Sequence, residues 1–436
     1  MSQLKNVFAL FACVVTFFLI IKTTEYSKLL TSIQLDTYNY PKTLNPEIVK
    51  PILNKISTKK IQNELTHFID ELPSDRYYKS NNGEKAALYI KEYLENLIDN
   101  NDIKEDIFEV QLFDHVWKQP SIIFKIRGKG TSTNNKIIII GCHIDSINFK
   151  FYQEAPGVDD NLSGIVTVIQ AIKHLIKEIK IGINLKNSVE FHFYAAEEVG
   201  SLGSTEILRD YRTSKNIEVL AMLQQDMTGY ITKSIESGEK EHFGIITDYA
   251  SSNLMNFTKL IIENYCEIPY LETECGKICS DHISGLMYGY PSIYVLESKV
   301  ELSNPFIHSI HDTIDKIDFN HMSEHLKLVI GFVIELAISN NEMTKQKIND
   351  FVSFRYIDFM ILLMTNQTKR FIYAVIMFTF IIGIIYIIII DYRTVFNFND
   401  QMKDPDSEFG DDNPISLLST NYKKIPKSEE KMKKQL

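Results

Sequence analysis

The chain has only five cysteines among its 436 residues, and their placement excludes more than it permits. Cys13 falls inside an apolar run, while Cys142 and Cys266 stand alone and read as small buried hydrophobes. Cys275 and Cys279, in ECGKICSDH, bracket three residues and suit a small disulfide loop in an oxidising compartment. No second pair of thiols or histidines is spaced to make them a zinc knuckle. Basic clusters are scarce too. The balance of 46 basic and 56 acidic residues leaves a net charge of −10, and the middle of the chain carries no basic patch. Nucleic acid is therefore not an expected partner. There is no internal repeat.

Long apolar runs are confined to the two ends. Residues 7–21 form an apolar run between Lys5 and Lys22. Roughly 15 residues fit a signal-peptide core better than a span of about 20. No small-x-small cleavage site follows, so residues 1–24 read as a signal peptide or an uncleaved signal anchor. Residues 371–390 are apolar throughout and long enough to cross a bilayer, behind Lys369 and Arg370. Such ends put the middle of the chain in the secretory lumen or outside the cell, on a membrane of the secretory pathway or the cell surface. Residues 25–44 then read as a linker and 346–370 as a juxtamembrane segment. Residues 391–436 are polar, of mixed charge and expected to be disordered.

Between the ends, residues 45–100 have apolar positions at helical spacing, as in ISTKKIQNELTHFIDEL and GEKAALYIKEYLENLI. IFEVQLF and PSIIFKIRG are β-like, with GKGTSTNNK as a turn-rich hairpin connection. KIIIIG is apolar on both faces, as a central strand covered by helices should be. Helix and strand then alternate: NLSGIVTVIQAIKHLI, VEFHFYA, a helix from about Ser201, LAMLQ, GIITDY, SSNLMNFTKLIIENY, PSIYVL and HMSEHLKLVIGFVIELAIS. This order predicts an α/β three-layer sandwich of helices around a central mixed, mostly parallel sheet.

The chemistry follows the strands. His143 with Asp145 comes after KIIIIGC, and Asp160 lies in PGVDDNLSG. Glu197-Glu198 follows VEFHFYAA, Asp226 follows VLAMLQQ, and His308 comes after PSIYVL and a connecting segment. In open α/β sheets, ligands bind beyond the carboxyl ends of the strands. Imidazole and carboxylate suit zinc, and the repeated pattern predicts a two-zinc hydrolase site. Two zinc ions bring +4. Asp160, Glu198 and Asp226 bring −3 and a bridging hydroxide −1, with two neutral histidines. Glu197 is left over for acid–base work. Asp145, two residues beyond His143, would hold the free imidazole nitrogen and fix its tautomer. Spacing alone does not choose between Asp159 and Asp160, or between His308 and His311. His282 and the other histidines read as structural.

These segments resemble the co-catalytic di-zinc aminopeptidases, most nearly the secreted bacterial leucine aminopeptidases. The resemblance covers residues 45–340, through GCHIDS, APGVDDNLSGI, FYAAEEVGSLGS, LQQDMTGY, CGKICSDH, GYPSIYVLESK and NPFIHSIHDT. It implies a di-zinc aminopeptidase domain over residues 45–345, acting on peptides with a metal-bound hydroxide as nucleophile. By this resemblance Asp160 bridges two zinc ions; His143 and Asp226 complete one, Glu198 and His308 the other. Glu197 is then the general acid/base, with Asp145 as partner of His143. A cis peptide at Asp160–Asn161 is implied as well. Cys275 and Cys279 match paired cysteines beside the substrate side-chain pocket, lined also by Met227, Leu296, Val300 and Ile307.

The departures concern that pocket. Lys277 stands where bacterial relatives carry tyrosine, and Ser303 where they carry another aromatic residue. A broader specificity, extending to acidic side chains, is the expectation. Two other readings compete: a one-zinc glutaminyl cyclase of the same fold, and an inactive peptidase-like membrane receptor. All five ligand positions are filled here, which favours two metals and activity.

Overall fold

The computed structural model describes residues 30–99, 107–129, 136–150, 153–339 and 350–355. Eight strands form the main sheet: β2 (Phe108–Phe113), β3 (Ser121–Ile126), β4 (Lys136–His143), β5 (Ser188–Tyr194), β6 (Glu218–Gln225), β7 (Phe243–Ile246), β8 (Tyr270–Thr273) and β9 (Ser292–Leu296). Their spatial order is β2-β3-β5-β4-β6-β9-β7-β8. The central strands β5, β4, β6 and β9 pair in parallel, and β7 with β8 likewise. Antiparallel joins occur at β2–β3, β3–β5 and β7–β9. The sheet is mixed, as expected.

The central strand shows why KIIIIGC is apolar throughout. Ile138, Ile140 and Cys142 pack into the larger core with α4 (Gly164–Lys180) and α9 (Phe319–Ile338). Ile137 and Ile139 face the other way, onto Ile207, Leu208 and Tyr211 of α5 (Leu202–Thr213). Successive strand side chains alternate faces, so a sheet covered on both sides needs an unbroken apolar run. The larger core is completed by α1 (Pro46–Leu53), α2 (Thr58–Glu71), α3 (Asn81–Asp99) and α7 (Ser252–Tyr265). Two short helices, α6 (Thr232–Glu236) and α8 (His282–Met287), fill the remaining order.

Three expectations need correction. GKGTSTNNK is no hairpin connection, because β5 lies between β3 and β4; the hairpin is β2–β3, with Phe113 opposite Ser121. Residues 25–44 are not merely a linker over their described part. Tyr38 is fully buried, Tyr40 donates its hydroxyl to Leu220 O at 2.7 Å, and Asn253 Nδ2 donates to Tyr38 O at 2.7 Å. The juxtamembrane segment likewise contains β10 (Asp350–Arg355), which pairs antiparallel with β1 (Leu30–Leu35). β8 and α8 went unread because four and six residues carry too little periodicity to register. Among the described residues no helix is long and apolar enough to cross a membrane. Residues 7–21, 371–390 and the tail lie outside the described residues.

Candidate metal centre

Three parallel strand ends supply most of the site. His143 ends β4, Glu197 and Glu198 follow β5 after two alanines, and Asp226 immediately follows β6. β4 pairs with both others, Gly141 standing opposite His192 on one side and Gln224 on the other, so the three ends adjoin. Asp160 enters on a turn before α4 whose Gly157 adopts φ +52°; a Cβ there would lie 2.4 Å from Asp160 O. The Asp160–Asn161 peptide is cis. Ala196, Met227 and His308 also have positive φ (58°, 53° and 55°). Each such non-glycine residue costs on the order of 1–3 kcal/mol and persists only when its surroundings impose it. Here Met227 N–H donates to Asn161 Oδ1 at 3.3 Å, and Phe149 N–H donates to His308 O at 3.1 Å.

The donor atoms fall into two groups that share one residue. His143, Asp160 and Asp226 form the first; Asp160, Glu198 and His308 form the second, with ligand atoms in each within 4.8 Å of one another. His143 Nε2 lies 3.0 Å from Asp160 Oδ1 and 3.3 Å from Asp226 Oδ1. His308 Nε2 lies 3.1 Å from Asp160 Oδ2 and 2.8 Å from Glu198 Oε2. Asp160 thus turns one oxygen toward each imidazole. His143 Nδ1 lies 3.0 Å from Asp145 O, which leaves Nε2 for the first group.

The electrostatics show what kind of charge this arrangement suits. Burial and then the Asp160 carboxylate push Glu198 up to about 8. Burial pulls His308 down, but its hydrogen bonds to Asp160 and Glu198 prevail and raise it to about 10. Glu198 Oε1 is buried without a hydrogen-bond partner. Carboxylates crowded together in a buried site call for a cation, and imidazole with carboxylate oxygen is a donor set that zinc accepts. The residues fit a metal.

Glu197 belongs to neither group. Burial pushes its carboxyl well above the usual carboxylate range; His143 opposes the shift, and Asp281 and Asp226 add to it. Asp145 does more than the sequence suggested. Its Oδ1 accepts the Glu197 N–H at 2.9 Å and its Oδ2 the Glu198 N–H at 3.2 Å, so one carboxylate carries both glutamates. The same Oδ1 stays 3.7 Å from His143 Nδ1. Ser280 Oγ donates to Asp226 Oδ2 at 2.6 Å, a contact unread in the sequence although Ser280 adjoins Cys279 in the cysteine motif.

An apolar cluster adjoins both groups along the chain, Met227 following Asp226 and Ile307 preceding His308. Met227 and Leu296 cluster with Cys275, Cys279, Val300 and Ile307, and Ile246 and Tyr294 join them. The six apolar residues named by the resemblance thus lie in one cluster, to which Ile246 and Tyr294, read only as strand residues, also belong. Cys275 and Cys279 form a disulfide. Lys277, between them, is exposed. Ser303 is half-buried, with Oγ donating to Val300 O at 2.8 Å.

The remaining candidates separate clearly. Asp159 Oδ1 accepts the Gly229 N–H at 3.0 Å and its Oδ2 the Asn304 amide at 2.9 Å, so it braces loops. His311 is exposed and in neither group. His115, His192, His321 and His325 make hydrogen bonds to Glu206, Glu190, Glu241 and Gln225 respectively. Two supports were not anticipated. Asp312, the aspartate of HSIHDT, accepts the N–H groups of Asp159 and Asp160 at 3.0 and 3.1 Å. Arg76 is 1 % exposed and donates to the carbonyls of Ile144, Pro156 and Gly157 at 3.0, 2.6 and 2.9 Å. It ties the turn after β4 to the turn that carries Asp160. Nothing in SDRYYKS marks it.

Comparison with known proteins agrees with this geometry. The chain is 40% identical over 304 residues to leucine aminopeptidase 1 of Paracoccidioides brasiliensis, covering 69% of this chain and 76% of that one. It is 43% identical over 306 residues to a probable aminopeptidase of Saccharomyces cerevisiae, YDR415C, covering 69% and 79%. The fold matches the LapA aminopeptidase of Legionella pneumophila with TM-score 0.61 and 27% identity, over 70% of this chain and 75% of that one. The sequence model of peptidase family M28 matches residues 121–333. With its fold, its paired ligand groups and these relatives, the chain belongs to peptidase family M28.

Proposed function

We propose that the chain is a two-zinc aminopeptidase that removes the first residue of a peptide. One observation carries this reading: two ligand groups share Asp160, with a further half-buried carboxyl, Glu197, that belongs to neither. The names of the relatives support the reaction class. Zinc, when bound, supplies Lewis acidity that polarises a carbonyl and makes water more acidic. The protein does the rest. His143 donates Nδ1–H to Asp145 O, so its Nε2 points into the first group. Glu197 takes a proton from the attacking water and delivers it to the leaving amine, as a carboxyl with a raised pKa is suited to do. The cluster around Met227 and Leu296 takes the first side chain and keeps water from it.

A screen of aminoacyl substrates with and without chelator tests this on the purified protein. Release of first residues, loss of activity with chelator, recovery with zinc and about two ions per chain are expected. Pyroglutamate formation with one ion per chain would overturn the reading. The same screen addresses the exposed Lys277 at the pocket rim. A rim charge is worth roughly 0.2–1 kcal/mol, so a glutamate-first substrate should gain about 1.4- to fivefold from lysine relative to the K277Y variant. No difference between the two removes Lys277 from substrate selection.

The two apolar end runs and the disulfide loop support a place on a membrane of the secretory pathway or the cell surface, with the catalytic domain lumenal or outside. Protease added to sealed vesicles should leave a lumenal domain intact until detergent is added. Digestion without detergent argues for the opposite orientation.

A further inference from the structure

The aminopeptidase reading accounts for the first residue of a substrate and leaves the second without a place. Phe149 lies on the turn after β4 and is 71 % exposed, in none of the four apolar clusters. A lone exposed apolar side chain is ordinary on a protein surface. This one lies against a ligand of the metal centre. Its ring meets the His308 imidazole edge-on with centroids 4.6 Å apart, and its N–H donates to His308 O.

The turn that carries it is held at several points. Ser146 Oγ donates to Ala155 O at 2.8 Å, Asn148 Nδ2 to Glu154 O at 2.6 Å, and Lys150 N–H to Asn148 Oδ1 at 2.8 Å. The ring is thus presented on a braced support. Ile310, two residues past His308, is also exposed, at 41 %. Ile307, on the other side of His308 in sequence, belongs to the pocket for the first side chain. A peptide whose first side chain sat on the cluster around Met227 and Leu296 and whose scissile bond lay at the ligand groups would continue past His308, where Phe149 and Ile310 are the large exposed apolar side chains among the described residues.

We propose that Phe149 is the ledge that receives the side chain of the substrate's second residue, so that peptides with an aromatic or large apolar second residue are favoured. The proposal rests on the aminopeptidase reading. Aromatic pairs and apolar contact of this size favour such a residue over glycine by about tenfold.

The test compares kcat/KM for Leu-Phe-amide and Leu-Gly-amide on the full chain loaded with zinc, on F149S and on F149L. Leu-Phe-amide should be preferred by about tenfold in the parent, with the difference mainly in KM. F149S should bring the ratio close to one, and F149L should restore most of it. An unchanged ratio in F149S overturns the proposal. So does an equal fall for both substrates, which would mean that the ring only steadies His308. Failure of the parent to release leucine from either peptide sinks the aminopeptidase reading, and this proposal with it.

Discussion

Replacing Glu197 with glutamine lowers kcat by about 10²–10⁴-fold and leaves the metal content unchanged. The expectation follows from where Glu197 sits. Its side chain is in neither ligand group, so exchanging a carboxylate oxygen for an amide nitrogen removes no ligand. Its backbone N–H donates to Asp145 Oδ1, a bond that any residue at this position keeps. Glutamine has the same shape and cannot carry the proton. Metal analysis and turnover with a leucine substrate check both halves. Turnover within about twofold of the parent would remove Glu197 from the proton path. Parallel loss of metal would make it a ligand instead.

Asp160→Asn has the second large effect, for a different reason. Asp160 presents Oδ1 to His143 and Oδ2 to His308, and a carboxamide offers only one acceptor oxygen. One group must then face an amide nitrogen. The expected outcome is about one ion per chain or fewer. Lewis-acid assistance of several kcal/mol is lost, which lowers kcat/KM by at least about a thousandfold. The backbone stays supported, because Asp312 holds the Asp159 and Asp160 N–H groups whatever the side chain. Two ions per chain with full turnover would show that Asp160 is not shared.

What could be read in the sequence was local. KIIIIGC announces a strand covered on both faces, and the ligands after it, after VEFHFYAA and after VLAMLQQ sit where parallel strands end. Choosing Asp160 over Asp159 and His308 over His311 took the family resemblance, since neighbours one or three residues apart share one local pattern. The unread parts depend on contacts distant in sequence. Asp312 reaches the Asp160 N–H across 152 positions, and Arg76 reaches the Gly157 carbonyl across 81. The misread connection between β3 and β4 has the same origin. Turn residues announce a bend, but β5 enters the gap from about fifty residues later, and no turn encodes that. Tyr38 likewise lies in a segment with the composition of a linker, and only its contacts with the domain make it part of the core.

The Asp145 carboxylate has a consequence for how this enzyme wears out. It spans the gap between the ends of β4 and β5, whose register is fixed up to His143 opposite Tyr194. Glu197 and Glu198 therefore hang from one hinge pin set in the middle of the sheet. Neither can loosen by loop fraying alone. Heat inactivation then accompanies cooperative melting of the central strands, the most protected part of such a fold, so activity and structure fail at one temperature.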